Sequence, residues 1–135
     1  MRHFIYNLKY GIKNLFKYFK VIWNDRHWDY SFILILLKFK LETIKNSYSK
    51  KHYSTDVPYQ LKYINICIIL LDRLIENNFL EEELNNLYEG KEFLEFNENN
   101  IPKINDIWNR QSIIRKKHMK LLMKILESRI ETWWD

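Results

Sequence analysis

The runs "FILILL" (residues 32–37) and "ICIILL" (residues 66–71) are the longest uninterrupted apolar stretches in the chain, and their reading decides the fold. A helix that crosses a membrane needs about 20 such residues, so neither run spans a bilayer. No stretch alternates apolar and polar residues as a half-buried strand does, and two Gly and two Pro leave few turn formers. Helix remains. Around the second run, Leu61, Ile64, Ile68, Leu71 and Ile75 recur at helical spacing and mark the expected buried face. Thr55 or Asp56 followed by Pro58 is the expected start of that helix. The first run sits in a helix reaching to about Tyr48, and its nearly continuous apolar character predicts a central position.

Toward the N-terminus, Phe4, Leu8, Ile12, Leu15, Phe19 and Ile22 form one helical stripe, and Lys9, Lys13, Lys17 and Lys20 recur on another face. Such a basic amphipathic helix fits a membrane surface, and it fits equally the outer helix of a bundle. A 135-residue chain must fill its core from stripes of this kind, which predicts core packing. Asn24 or Asp25 is the expected cap of the second helix, with Asp29 in its first turn. "NSYSKKHYSTDVP" (46–58) reads as a loop, "FLEEELNNLYEG" (79–90) as a short acidic helix, and "EFNENNIP" (95–102) as a connector. A last helix from near Pro102 to the C-terminus carries Ile107, Ile114, Leu121, Ile125 and Trp133 as apolar positions. With no repeat and no boundary, the expectation is one domain over residues 1–135: an all-α, compact bundle of four to five helices.

Aromatic residues make up 16% of the chain, so the core is expected to be built from large rings more than from methyl groups. The single cysteine, Cys67, excludes an internal disulfide and a Cys-based zinc site, and its apolar neighbours predict a buried thiol. The net charge of +5 is unevenly spread. Residues 1–51 hold eleven Lys/Arg against three acids, residues 79–98 seven Glu against one Lys, and residues 103–120 six bases against one acid. Such blocks are most often solvated faces, though opposite ones can pair within a chain or between subunits. The N-terminus has no cleavable signal pattern, which points to a cytoplasmic protein, and the short apolar runs with core packing of the first helix lead to the expectation of no membrane partner.

Catalytic signatures are absent. His3, His27, His52 and His118 fall in separate elements with no second ligand at zinc spacing, and there is no phosphate-binding glycine loop or nucleophile elbow. Asp25 and Asp29 resemble a general acid–base pair, but helix capping accounts for them more simply. No enzyme activity, cofactor or metal is expected. The basic stretch "RQSIIRKKHMK" (110–120) offers Arg110, Arg115, Lys116, Lys117 and Lys120 to nucleic-acid phosphates; the acidic block and mild net charge weigh against it. The densest cluster is "WNDRHWDY" (23–30). Trp23 and Trp28 suit the two faces of a planar ring, Arg26 suits a phosphate or carboxylate, and Asp25 and Asp29 flank them. Arg73, Trp133 and Trp134 join this ligand site if the two Trp-rich motifs meet. In the competing reading the indoles are core and Arg26 pairs with Asp25, Asp29 or Asp135.

Together "WNDRHWDY", "LLKFKLE" (36–42), "CIILLDRL" (67–74) and the terminal "WWD" (133–135) resemble a family of small phage and prophage helical proteins with a W-x-D-R-x-W-D motif and a C-terminal W-W-D. His27 stands where that pattern more often has Asp, which removes one carboxylate from the motif. The resemblance implies a helical phage accessory protein in the host-cell cytoplasm, with no established activity. It leads to the expectation of a non-enzymatic protein that counters host defence by binding. The partner would be a nucleotide-type small molecule or a host defence protein, and a homo-oligomer is open.

Overall fold

The computed structural model describes residues 2–23, 25–26, 28–50, 57–81 and 101–133. Four α-helices follow one another: α1 (Arg2–Ile22), α2 (Ser31–Lys50), α3 (Val57–Glu76) and α4 (Ile101–Arg129), the last ending in a 3-10 turn at Ile130–Trp133. No strand occurs among the described residues. The all-α bundle is as the sequence predicts. The expected acidic helix at 79–90 lies almost wholly outside the described residues, as do the cap candidates Asn24, Thr55 and Asp56.

The central helix is α3, not α2. It buries Ile64, Cys67, Leu70, Leu71 and Leu74 between α2 and α4, a face turned by about one residue from the expected one. Leu61, Ile68 and Ile75 stand at its margin, half-buried. From α2 only Leu34 and Leu41 are fully buried, and Ile33 in the apolar run is exposed. From α4 come Ile104, Ile107, Leu122, Ile125 and Leu126, with Trp133 closing the cluster. Leu121, expected on this face, is exposed, and Ile114 is half-buried. Rings contribute less than composition suggests, since Trp133 is the only fully buried aromatic among the described residues.

Polar contacts fix α4 antiparallel to α3 at both ends. Where α3 stops, Asn77 takes a left-handed φ of 53°, a conformation that asparagine tolerates better than most residues at a helix terminus. Arg115 from α4 donates to the Leu74 carbonyl (2.6 Å) and to Asn77 Oδ1 (2.9 Å), and Gln111 donates to the Asn77 carbonyl (2.6 Å). These bonds satisfy carbonyls that the last helical turn leaves without partners. Arg115 also donates to the Tyr30 hydroxyl at 3.2 Å and lies over that ring, so the start of α2 joins the same knot. Near the same end, Lys38 of α2 pairs with Asp72 of α3.

At the opposite end Arg129 donates to the Tyr59 hydroxyl at 2.7 Å and stacks over Tyr59 and Tyr63. The Trp133 indole N–H reaches Gln60 Oε1 at 3.1 Å while its ring enters the core, 3% exposed. Trp133 is therefore a fastening. Trp133→Ala should destabilise the fold by about 3–5 kcal/mol, as loss of a buried large aromatic does. Urea unfolding measures this. A second expectation concerns Cys67, whose thiol burial pushes up to about 11. At pH 8 it should resist alkylation in the folded protein and react readily once denatured.

Candidate functional site

The first helix departs most from expectation. Its apolar residues do not enter the core: every side chain from His3 to Lys17 is exposed. Projected at the 3.6-residue repeat, Phe4, Ile5, Leu8, Ile12, Leu15, Phe16, Phe19 and Ile22 fall within an arc of roughly 120°. All eight are exposed, Phe16 at 76%. Contact with α2 is made from the other side of the helix. Tyr18 meets Phe39 edge-on (5.0 Å between centroids), Lys17 lies over the same ring, and Val21 is half-buried nearby. The apolar arc consequently points away from the bundle.

Between α1 and α2 runs an open cleft of about 470 Å³. Val21, Phe32, Ile35 and Phe39 form its apolar wall, and Lys17, Lys20 and Asp29 its charged rim.

The connecting turn continues the exposed apolar surface. Trp23 is 69% and Trp28 72% exposed, so neither indole is core. Phe19 and Trp23 are in tilted contact at 5.0 Å, which carries the α1 stripe into the turn. Arg26 is exposed and donates to the neighbouring Asp25 carbonyl at 3.0 Å. Asp29, not Asp25, starts α2: its Oδ1 accepts the Ser31 amide at 2.9 Å, immediately before the first helical turn. Hydrogen bonds from Ser31, hydroxyl and amide, hold the Asp29 carboxyl below its ordinary range.

The composite ligand site does not form. Tyr30, and with it the 23–30 turn, joins α4 at Arg115, beside the last turn of α3; Trp133 sits against Gln60, in the first turn of α3. A 20-residue helix separates these ends by about 30 Å. Arg73 is exposed in the last turn of α3, nearer the Trp23 end, while Trp134 and Asp135 lie outside the described residues. The basic stretch is also reduced. Arg115 is held by Leu74, Asn77 and Tyr30, and Arg110 pairs with Asp106 at 2.9 Å, leaving Lys116, Lys117 and Lys120 on the exposed side of α4. Among the described residues no group of three or more His, Cys, Asp or Glu could hold a metal ion, and no helix is long and apolar enough to cross a membrane.

The separate roles of the two aspartates give a pH test. A carboxyl whose folded pKa is depressed contributes stability above its unfolded value, about 3.9, and that stability is lost as pH falls through the lower folded value. Asp29→Ala should therefore melt at a lower temperature than the parent protein at neutral pH, with the gap closing at pH 2. Asp25→Ala, which removes no cap, should melt with the parent at neutral pH. Comparison with protein-family models, curated proteins and solved structures found no match to this chain.

Proposed function

We propose that the protein is a non-enzymatic binding protein whose working surface is the outward face of α1, continued by Trp23. In the setting implied by the W-x-D-R-x-W-D resemblance, it is a phage accessory protein that counters host defence by binding a host component through this face. The observation that carries the reading is the exposure of all eight apolar residues in one arc of α1. Large contiguous apolar patches on a folded protein mark interaction surfaces, whereas single exposed side chains do not.

A nucleotide sponge fits this geometry less well. Of the aromatic residues expected around its ligand, Trp23 and Trp28 are exposed in the turn, but Trp133, which would join them only if the two motifs met, is buried at the far end with its N–H already bonded to Gln60. The nucleic-acid reading loses Arg115 to the α3 terminus. An apolar face bordered by lysines is built for a surface larger than either ligand's contact point.

Photo-cross-linking in the expressing cell tests the surface without assuming its partner. A photoreactive phenylalanine at position 16 should give a discrete adduct, and the same residue at Met123, exposed on α4, should not. Equal labelling at both positions, or an adduct confined to the chain itself, rejects the reading.

A further inference from the structure

We propose that the outward face of α1 docks on an anionic lipid surface, with the helix lying in the plane of the headgroups. This inference rests on α1 being the working surface and names its partner.

Three features of the helix converge on that partner. The first is the shape of the apolar surface. Its eight large residues run from Phe4 to Ile22 and cover roughly 120° of the helix circumference. A helix that enters a protein groove presents anchors at i, i+3 or i+4, and i+7 along a narrower line. The broad arc here suits a plane.

The second feature is charge. α1 contains Arg2 and four lysines but no Asp or Glu. Lys9, Lys13 and Lys20 fall along one edge of the apolar arc. From there their aliphatic stems can follow the apolar surface while the ammonium groups rise to headgroup phosphates. Attraction between lysines and an anionic leaflet acts within a Debye length, about 8–10 Å at ordinary salt. Pairing with α1 of a second copy would instead bring two sets of lysines together with no acid in either helix to offset them.

The third feature is placement. α2 packs on the side of α1 that carries Lys17, Tyr18 and Val21. Among the described residues the bundle thus stands behind the helix and leaves the apolar arc clear to meet a flat surface. Trp23 closes the stripe, 69% exposed, and tryptophan is favoured at the boundary between headgroups and hydrocarbon.

The test is co-sedimentation of the full chain with vesicles of phosphatidylcholine alone or mixed with phosphatidylglycerol. Binding to mixed vesicles should be at least about tenfold tighter than to neutral ones, which is roughly 1.4 kcal/mol. Phe16→Glu should abolish binding; position 16 is exposed, and an unchanged far-UV circular dichroism spectrum verifies the fold. The double variant Lys9→Glu/Lys13→Glu should weaken binding to mixed vesicles by at least about tenfold, and Lys116→Glu/Lys117→Glu on α4 should leave it unchanged. Equal affinity for both vesicle types, no vesicle binding, or an equal loss in the α4 variant overturns the proposal. A concentration-dependent dimer that Phe16→Glu dissolves, without vesicle binding, assigns the face to a second copy and also overturns it. A discrete protein adduct at position 16 in cells, with vesicles ignored, overturns the lipid partner while α1 remains the working surface.

Discussion

The closure of α3 at both ends by α4 is the constraint on which the rest of the structure depends. At one end Arg115 and Gln111 complete the hydrogen bonding of the last α3 turn, and at the other Trp133 and Arg129 grip Gln60, Tyr59 and Tyr63. Between them lies the apolar cluster of Ile64, Cys67, Leu71, Leu74, Leu122, Ile125 and Leu126. Burial supplies the driving force, but it does not by itself fix how two helices slide along each other. Polar groups at the two ends do, because a slip of one turn would break the bonds that Arg115 and Gln111 make to the Leu74 and Asn77 carbonyls and that the Trp133 indole makes to Gln60. Tyr30 extends the same fixation to α2 through Arg115.

Against that closed core the outward stripe of α1 stands out energetically. Fully burying a Phe, Leu or Ile side chain is worth about 1.5–3 kcal/mol. Eight such residues left about half or more exposed, from Ile12 at 47% to Phe16 at 76%, therefore withhold on the order of 10 kcal/mol, comparable with the whole net stability of a small domain, about 5–15 kcal/mol. A chain folding only for its own stability would turn α1 over and place this arc on α2, whose side chains on the cleft, Phe32, Ile35 and Phe39, are apolar as well. Instead the helix lies on Lys17, Tyr18 and Val21. The unused burial is available to a partner.

Much of the fold is legible in the sequence because periodicity reports helices directly. The spans 2–22 and 57–76 and the burial of Cys67 follow from spacing and composition, whereas the loop expected over 46–58 is helical at both described ends, with α2 running to Lys50 and α3 starting at Val57. What spacing does not report is which stripe meets which. The pattern Phe4, Leu8, Ile12, Leu15, Phe19 reads the same whether it faces a core or a surface outside the protein, and the direction of α1 is set by contacts of Tyr18 and Val21 that carry no special signal. The central position expected of "FILILL" fails for a related reason: six apolar residues in a row surround a helix, but α3 covers only one side of them. Arg115 looked like one member of a basic run because its partners, a backbone carbonyl and Asn77, lie 38 to 41 residues away in sequence. Trp23 and Trp28 of the W-x-D-R-x-W-D cluster are exposed at the end of α1, whereas Trp133, expected beside them if the two motifs met, is buried at the other end of the bundle.

Five tryptophans in one small chain invite a single explanation, and the structure separates two of them, Trp133 and Trp23, by what the ring of each reaches. Trp133 has Gln60 for its N–H and a core for its ring, so it serves the fold. Trp23 lies against Phe19 on an exposed face. That difference extends to whole helices. Every fully buried apolar side chain among the described residues comes from α2, α3, α4 or the turn that ends it, and none from α1. The three-helix core closes without α1, so α1 can keep an apolar face in water without the core losing contacts that hold it together. A helix that the core needed could not be presented this way, because any partner that drew on its apolar arc would compete with folding.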